Sequence, residues 1–130
     1  MTNQRFLFIS AGIFCMTSVM LGAFGAHGLK PLLSEGSLHS FDTASKYQFF
    51  HGLALAVFAL VPADKQSKLL RIAGFFVFTG IILFSGSLYL LSTAAINGLG
   101  DITWLGPVTP LGGLCFTAGW ALFTFNFIKR

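Results

Sequence analysis

Three polar side chains in this sequence lie in or beside long apolar runs, where a polar group needs a partner or a function. His27 ends the first apolar run, and Gln48 and His51 lie near the start of the second. An imidazole can ligate a metal, relay a proton or bind an anionic group near neutral pH. Inside hydrocarbon an unpaired polar group is costly, so Gln48 and His51 must face protein or a water-filled pocket.

Further polar residues are expected to meet these three once the chain folds as a helical bundle. Tyr47 precedes His51 by four residues and therefore shares its helical face. The candidate binding residues are His27, Tyr47, Gln48, His51, Ser87, Tyr89 and Thr109. Their types fit an interhelical hydrogen-bond network that fixes helix register, and they also fit a pocket for a small ligand or lipid headgroup. The sequence leaves both interpretations open.

Other chemistries have less support. A metal at His27 and His51 would need a third ligand from His39 or Asp101, and no closely spaced pair such as HxxxH is present. A proton relay usually continues through Asp or Glu within a helix, and the apolar runs hold neither. There is no nucleophile elbow, no paired carboxylates and no phosphate-binding glycine loop. We therefore expect no enzyme, no metal and no cofactor.

Long uncharged runs must position these residues. Of 130 residues, 55% are hydrophobic and 9% are charged, whereas charged residues make up about a quarter of soluble proteins. Phe6–Ala26, Ile72–Ile96 and Pro110–Ile128 contain no Lys, Arg, Asp or Glu. Because a helix rises ~1.5 Å per residue, each run is about long enough to cross ~30 Å of hydrocarbon. A shorter run, Tyr47–Val61, lies between the first two.

These runs predict an all-α integral membrane protein, an antiparallel bundle of four transmembrane helices. Residues 1–130 form a single domain, with helices at about 6–26, 43–61, 69–96 and 110–128. Ser40 or Asp42 is the expected N-cap of the second helix, which makes 27–42 the longest loop. Ser85-Gly86-Ser87 is the point where the third helix could break. Thr109 is expected to cap the fourth, with Pro110 at its first position.

The basic residues orient this bundle. Arg5, the turn holding Lys65, Lys68 and Arg71, and the terminal Lys129 and Arg130 fall on one side, whereas Lys30 and Lys46 fall on the other. Cytoplasmic loops of membrane proteins are rich in Lys and Arg, so both termini are expected in the cytoplasm. The basic residues form no continuous helix face and no stacking platform, and we therefore expect no nucleic-acid partner.

Small residues and phenylalanines suggest what the surface does. Ser18, Gly22 and Ala26 share one helical face, an arrangement that lets helices pack closely in lipid. Sixteen residues are Phe, and a bundle of four helices has little interior, so most rings are expected to face lipid or a partner. The leading hypothesis is an accessory subunit of a larger membrane complex or a homo-oligomer. The alternative is a carrier or binding protein for a small solute or lipid, using an outer polar pocket.

Several segments together resemble a known family. They are Leu21–Leu29, then Phe41–Ala44 with Tyr47, Gln48 and His51, then Leu83–Tyr89, and finally Thr109–Gly113 with Gly119 and Trp120. They are similar to the YgdD-like family of small bacterial inner-membrane proteins, a domain family of unknown function. The resemblance implies a four-helix protein of the inner membrane and supplies no reaction. The candidate binding residues coincide with the matching positions.

Overall fold

The computed structural model describes residues Thr2–Ile128, and this range contains helices and turns but no strand. The helices are α1 (Asn3–His27), α2 (Glu35–Leu60), α3 (Lys68–Gly80), α4 (Gly86–Ser92) and α5 (Val108–Ile128). A π-helical segment, Ile81–Ser85, joins α3 to α4 without interruption. Single 3₁₀ turns occur at Ala63–Lys65 and Thr103–Leu105. Since α3, the π segment and α4 form one continuous rod, the described chain builds four long rods.

Within that range, three helical stretches are long and apolar enough to cross a membrane: Asn3–His27, Lys68–Ser92 and Thr103–Ile128. The remaining rod, α2, is equally long. It is more polar, with Glu35, Asp42 and Lys46 in its first half and Gln48 and His51 just beyond the midpoint. The predicted fold class, an all-α membrane bundle, is confirmed.

Consecutive rods run in opposite directions. Gly25, late in α1, lies against Phe41, early in α2, while Gly52, late in α2, lies against Cys15 in the middle of α1. In the same way, Ser87 of α4 contacts Thr109 at the start of α5, and Ser67, just before α3, contacts Asn126 near the end of α5. The topology is therefore up-down-up-down, as short connections favour.

The core lies toward the end of the bundle that holds the start of α1. Leu7, Phe58, Leu70 and Val77 are at most 1% exposed. Aromatic rings fill the spaces between rods; for example, Phe58 stacks on Phe123 with centroids 4.4 Å apart. Six of the sixteen Phe residues are exposed, namely Phe8, Phe24, Phe50, Phe75, Phe125 and Phe127. Of the others, seven are half-buried between adjacent helices, and three are buried, namely Phe41, Phe58 and Phe116. The expectation that most rings face lipid or a partner stays a prediction.

Glycines permit the closest helix contacts. A Cβ placed on Gly112 would overlap the backbone nitrogen of Phe84, so α5 touches the π segment backbone to backbone. A Cβ on Gly119 would lie 2.7 Å from Cγ2 of Val77. On α1, Ser18 is buried and Gly22 faces Ser45, as the predicted small-residue face requires. Ala26, predicted on the same face, is exposed.

The second helix starts earlier than predicted. Ser34 is its N-cap, accepting a hydrogen bond from the backbone of Ser37 at 3.2 Å, and α2 begins at Glu35. The connection after α1 is therefore only 28–34, and the longest connection among the described residues is 93–107. The predicted start, near residue 43, marked where the apolar stretch begins. A helix can extend beyond that stretch through polar sequence.

The third and fourth predicted boundaries also shift. The third rod ends at Ser92 and not at Ile96. Its Ser85-Gly86-Ser87 stretch does not break the helix, since Ser85 ends the π segment and Gly86 begins α4. Helix α5 begins at Val108, so Thr109 lies inside its first turn and is not the N-cap. The hydroxyl of Thr109 bonds to a neighbouring helix.

Candidate functional site

Gln48 joins three helices near the middle of the bundle. Its side-chain nitrogen donates to the carbonyl oxygen of Phe14 at 3.0 Å and to the hydroxyl of Thr17 at 2.7 Å, both on α1. Its oxygen accepts from the hydroxyl of Tyr89 on α4 at 2.8 Å. Gln48 is 5% exposed. Each polar atom of a buried amide is thereby paired, which removes the cost of burying it.

The orientation of this amide follows from its partners. The carbonyl of Phe14 can only accept, so the atom facing it must be the NH₂ group. Thr17 donates its own hydrogen to the carbonyl of Ile13 at 2.8 Å and is free to accept from Gln48. Tyr89 is held from the other side by an edge-on contact with Phe41, with centroids 4.9 Å apart.

Two serines on the third rod make further cross-helix contacts. The Ser85 hydroxyl donates to the carbonyl oxygen of Ala44 on α2 at 2.8 Å. Ser87 and Thr109 bring their hydroxyl oxygens within 2.6 Å. Because Ser87 also bonds to the carbonyl of Phe84 at 3.0 Å, it donates there and accepts from Thr109. The two serines flank Gly86 at the junction where the π segment ends and α4 begins.

His51 faces α5 and not the Gln48 network. Its ring stacks on Phe116 with centroids 3.5 Å apart, and its Nδ1 lies 2.9 Å from the carbonyl oxygen of Tyr47. A carbonyl only accepts, so Nδ1 carries a proton, and Nε2 presents a lone pair in the neutral form of the ring. Tyr47 stacks obliquely on Phe84, at 4.7 Å, and is itself exposed at 41%.

His27 lies apart from the other six residues. It is exposed at the end of α1. Gly52 packs against Cys15, which puts His51 at about the depth of Cys15, twelve residues before His27. At ~1.5 Å per residue the two histidines are separated by about 18 Å along the helix axis. The expectation that they share one neighbourhood is wrong, because α2 starts earlier than predicted and carries His51 to mid-bundle.

Apart from His27, the predicted set divides into three pairs. Gln48 and Tyr89 join α1, α2 and α4; Ser87 and Thr109 join α4 to α5; and Tyr47 and His51 lie against α5. Their role in binding stays a prediction. Within Thr2–Ile128, no group of three or more His, Cys, Asp or Glu side chains is placed to hold a metal ion.

Sequence reasoning missed several partners. Thr17 and Ser85 complete the hydrogen bonds, and Phe116 covers the ring of His51. Depth alone could have suggested Thr17, because it lies mid-way along α1, as Gln48 does along α2. No sequence signal distinguishes Phe116 from the other phenylalanines.

Two glutamine side chains at the end of the bundle where α1 begins were missed as well. Gln4 donates to the carbonyls of Ala59 and Val61, both at 3.1 Å, and Gln66 donates to Val61 at 2.9 Å. The last carbonyls of a helix lack intrahelical partners, so these side chains close the end of α2.

Comparisons with known proteins agree with this architecture. Residues 21–113 match a family described as "Protein of unknown function (DUF423)". A UPF0382 membrane protein of Staphylococcus haemolyticus is 42% identical over 94% of this chain and 98% of its own. The UPF0382 membrane protein YwdK of Bacillus subtilis is 39% identical over 97% and 98%.

The UPF0382 inner membrane protein YgdD of Escherichia coli is 37% identical over 98% of this chain and 92% of its own. No solved structure is significantly similar. The family match covers well over half of the chain, and the relatives match nearly all of it. Both confirm the resemblance found in the sequence. This chain therefore belongs to the DUF423 family, whose relatives are named UPF0382 membrane proteins.

Proposed function

We propose that this protein acts by helix association in the inner membrane, as an accessory subunit of a larger membrane complex or as a homo-oligomer, and that it is not an enzyme. The observation that carries the proposal is a row of small residues on the outer surface of α5. We call Gly113, Thr117, Ala121 and Thr124 the α5 stripe. Small residues spaced three or four apart share one helical face and let a second helix approach closely in lipid.

The α5 stripe is accessible, and its hydroxyl groups are hydrogen-bonded within α5 itself. Thr117, Ala121 and Thr124 are exposed, and the nearest atom to a Cβ built on Gly113 is 3.9 Å away, in the ring of Phe84. The two threonine hydroxyls donate to the carbonyls of Gly113 and Trp120, each at 3.0 Å. Because these hydroxyls are paired, the stripe can leave lipid and meet another helix without losing a hydrogen bond.

The polar interior supports a non-enzymatic role. The amide of Gln48 and the hydroxyls of Tyr89 and Ser87 all bond to other helices of the same bundle. Such contacts fix the register of one helix against the next. Groups held in this way are poorly suited to gain or lose protons during a reaction.

The distribution of charge supports a multi-pass orientation with both termini in the cytoplasm. Arg5, Lys65, Lys68 and Arg71 lie at the end of the bundle where α1 begins and α5 finishes. Lys129 and Arg130, counted with them from the sequence, lie outside the described residues. We call this end of the bundle the basic end. Reporter fusions to the carboxyl terminus test the orientation. Activity of a fused reporter that works only outside the cytoplasm would contradict it.

Enlarging the α5 stripe tests the association. Gly113→Leu and Ala121→Leu add bulk where the single chain has room, so the bundle should still fold. The larger side chains should prevent close contact between α5 and a helix of another molecule. Gly12→Leu is the matched control, because Gly12 is exposed on α1 and a Cβ there meets nothing within 4 Å. Cross-linking in native membranes and native mass spectrometry should show the assembly in wild type and Gly12→Leu only. Monomers in both measurements for wild type would contradict the proposal.

A second candidate, a carrier or binding protein for a small solute or lipid, draws on a different feature. A cavity of about 340 Å³ opens between α1 and α2 near Gly22 and Gly25, and Lys30, His39 and Asp42 line it. None of the seven predicted binding residues belongs to its wall. Lys30→Gln with His39→Ala should abolish binding of a zwitterionic lipid if this candidate is right. Unchanged binding would remove it.

A further inference from the structure

The basic end of the bundle contains a polar cavity that the proposed function does not use. It has a volume of about 200 Å³, and its wall includes Asn3 and Gln4 of α1, Gln66 and Ser67 before α3, and Arg71 in the first turns of α3. Asn3 and Arg71 also line an adjoining open groove of about 620 Å³. The cavity is below the roughly 300–1,000 Å³ that drug-sized ligands occupy, so it suits a small group.

Its electrostatics favour an anion. Arg71 is exposed and has no ion-pair partner among the described residues. Both α1 and α3 begin at this cavity, with Thr2 and Ser67 as their N-caps. A helix N-terminus carries a partial positive charge and unpaired N–H groups, so the two helix starts reinforce the guanidinium. Asp64, on the exposed turn nearby, is the one carboxylate between α2 and α3.

Unpartnered donors occur at the same place. The side-chain nitrogen of Asn3, a wall residue, is buried and has no acceptor among the residues that the structure describes. Asn126 does not line the cavity but lies behind the wall residue Ser67, whose hydroxyl donates to its side-chain oxygen at 2.5 Å. Asn126 is 4% exposed, and its side-chain nitrogen has no acceptor among residues 2–128. Buried N–H donors without acceptors are rare in folded proteins and call for a partner. An anion supplies acceptors and no donors.

We infer that this cavity binds a phosphate group, with Arg71 as its cation and the amide of Asn3 and the start of α3 as further donors. The basic end lies where the apolar rods finish, at the level of lipid headgroups. The phosphate can therefore come from an anionic phospholipid headgroup or from free phosphate in solution. Arginine and helix N-termini are the groups that proteins use for this ligand.

Thermal unfolding of the purified chain in neutral detergent tests the site. The probes are short-chain phosphatidylglycerol, short-chain phosphatidylcholine and sodium phosphate, with sodium chloride at equal ionic strength as a blank. Stabilisation by phosphatidylglycerol alone assigns the site to a lipid headgroup, and stabilisation by inorganic phosphate as well assigns it to a free anion. Phosphatidylcholine, whose phosphate is offset by its own choline cation, should stabilise less than phosphatidylglycerol. Equal stabilisation by chloride, or none by phosphatidylglycerol and phosphate, would overturn the inference.

A pair of variants separates the site from the general positive charge of this end. Arg71→Gln and Lys68→Gln each remove one positive charge from the start of α3, but only Arg71 lines the cavity. Arg71→Gln should weaken binding by about tenfold or more, as loss of a charge-assisted contact does, and Lys68→Gln by much less. Equal losses in both variants would reduce the effect to surface charge and refute the site.

Asn3→Asp provides a second test that does not depend on Arg71. A carboxylate at the first position of α1 favours the helix dipole, so the ligand-free protein should keep its melting temperature. The same carboxylate repels a phosphate in the cavity, so the stabilisation by the probe should disappear. Full stabilisation in Asn3→Asp would overturn the inference even if Arg71→Gln failed to fold.

Discussion

The side-chain nitrogen of Gln48 donates to the backbone carbonyl of Phe14 across the α1–α2 interface, at 3.0 Å. The two residues lie near the midpoints of α1 and α2, where water is scarce and a misplaced amide would be costly. Any rotation or slip of α2 against α1 breaks this bond together with those to Thr17 and Tyr89. Gln48 therefore fixes the register of three rods at once.

Gln48→Leu should destabilise the bundle without opening a cavity, because leucine is similar in volume. Three hydrogen bonds are lost, and at ~0.6 kcal/mol each in membrane proteins the expected loss is about 2 kcal/mol. Tyr89→Phe is the matched partial variant, since it removes one of these bonds and keeps the ring against Phe41. Reversible unfolding in mixed micelles measures both. A larger loss for Tyr89→Phe than for Gln48→Leu would contradict the network.

His51 should behave as a packing residue. Its ring stacks on Phe116 at 3.5 Å and makes one local bond to Tyr47. His51→Phe keeps a flat ring in that space and should change stability little, whereas His51→Ala leaves a void and should cost about 2 kcal/mol or more. Thermal unfolding of the two variants separates the roles. If His51→Phe unfolded as readily as His51→Ala, the imidazole nitrogens and not the packing would be essential.

Asp101 should titrate at lower pH than an ordinary carboxyl. The hydroxyl and the backbone N–H of Thr103 both donate to it, at 2.7 and 3.0 Å, and these hydrogen bonds hold the pKa of Asp101 below its usual value. The resulting stabilisation of the 93–107 connection is present above the unfolded-state pKa and is lost as pH falls through the folded-state pKa.

An NMR titration of the Asp101 carboxyl carbon in micelles checks this prediction. Thr103→Val removes the hydroxyl and should raise the pKa of Asp101 toward its ordinary value. Thr124→Val, which removes a hydroxyl bonded to Trp120 on α5, is the control and should leave that pKa unchanged. An identical titration in Thr103→Val and wild type would show that the side-chain bond has no effect.

Much of the fold follows from the sequence because the apolar runs have to match the thickness of a bilayer. The uncharged stretches ending at Ala26, Ile96 and Ile128 correctly predicted three rods and their alternating direction. The start of α2 could not be predicted in this way. Glu35–Phe41 is a polar stretch, and nothing in its composition separates a helix that extends into the headgroup region from a loop.

The sequence predicted the depth of the candidate site residues in the bundle better than it predicted which neighbouring helix each side chain faces. Alternating rods bring Ser87 beside Thr109 and Tyr89 beside Gln48, and the structure has both contacts. Which face of α2 meets which neighbour depends on side-chain packing, and sequence spacing does not supply it. That is why His51, one turn after Gln48, contacts Phe116 on α5 and makes no hydrogen bond within the Gln48 network.

Gly112 is where the closest helix contact in the bundle can be tested. A Cβ there would meet the backbone of Phe84, which cannot move aside as a flexible side chain would. Gly112→Ala should therefore push α5 away from the π segment and cost about 1–3 kcal/mol, the usual range for overpacking. Gly113→Ala is the control one residue along, because its Cβ would lie 3.9 Å from the nearest atom, in the ring of Phe84. Unfolding in mixed micelles should rank Gly112→Ala well below Gly113→Ala, and equal stability of the two would show that α5 is not held by this contact.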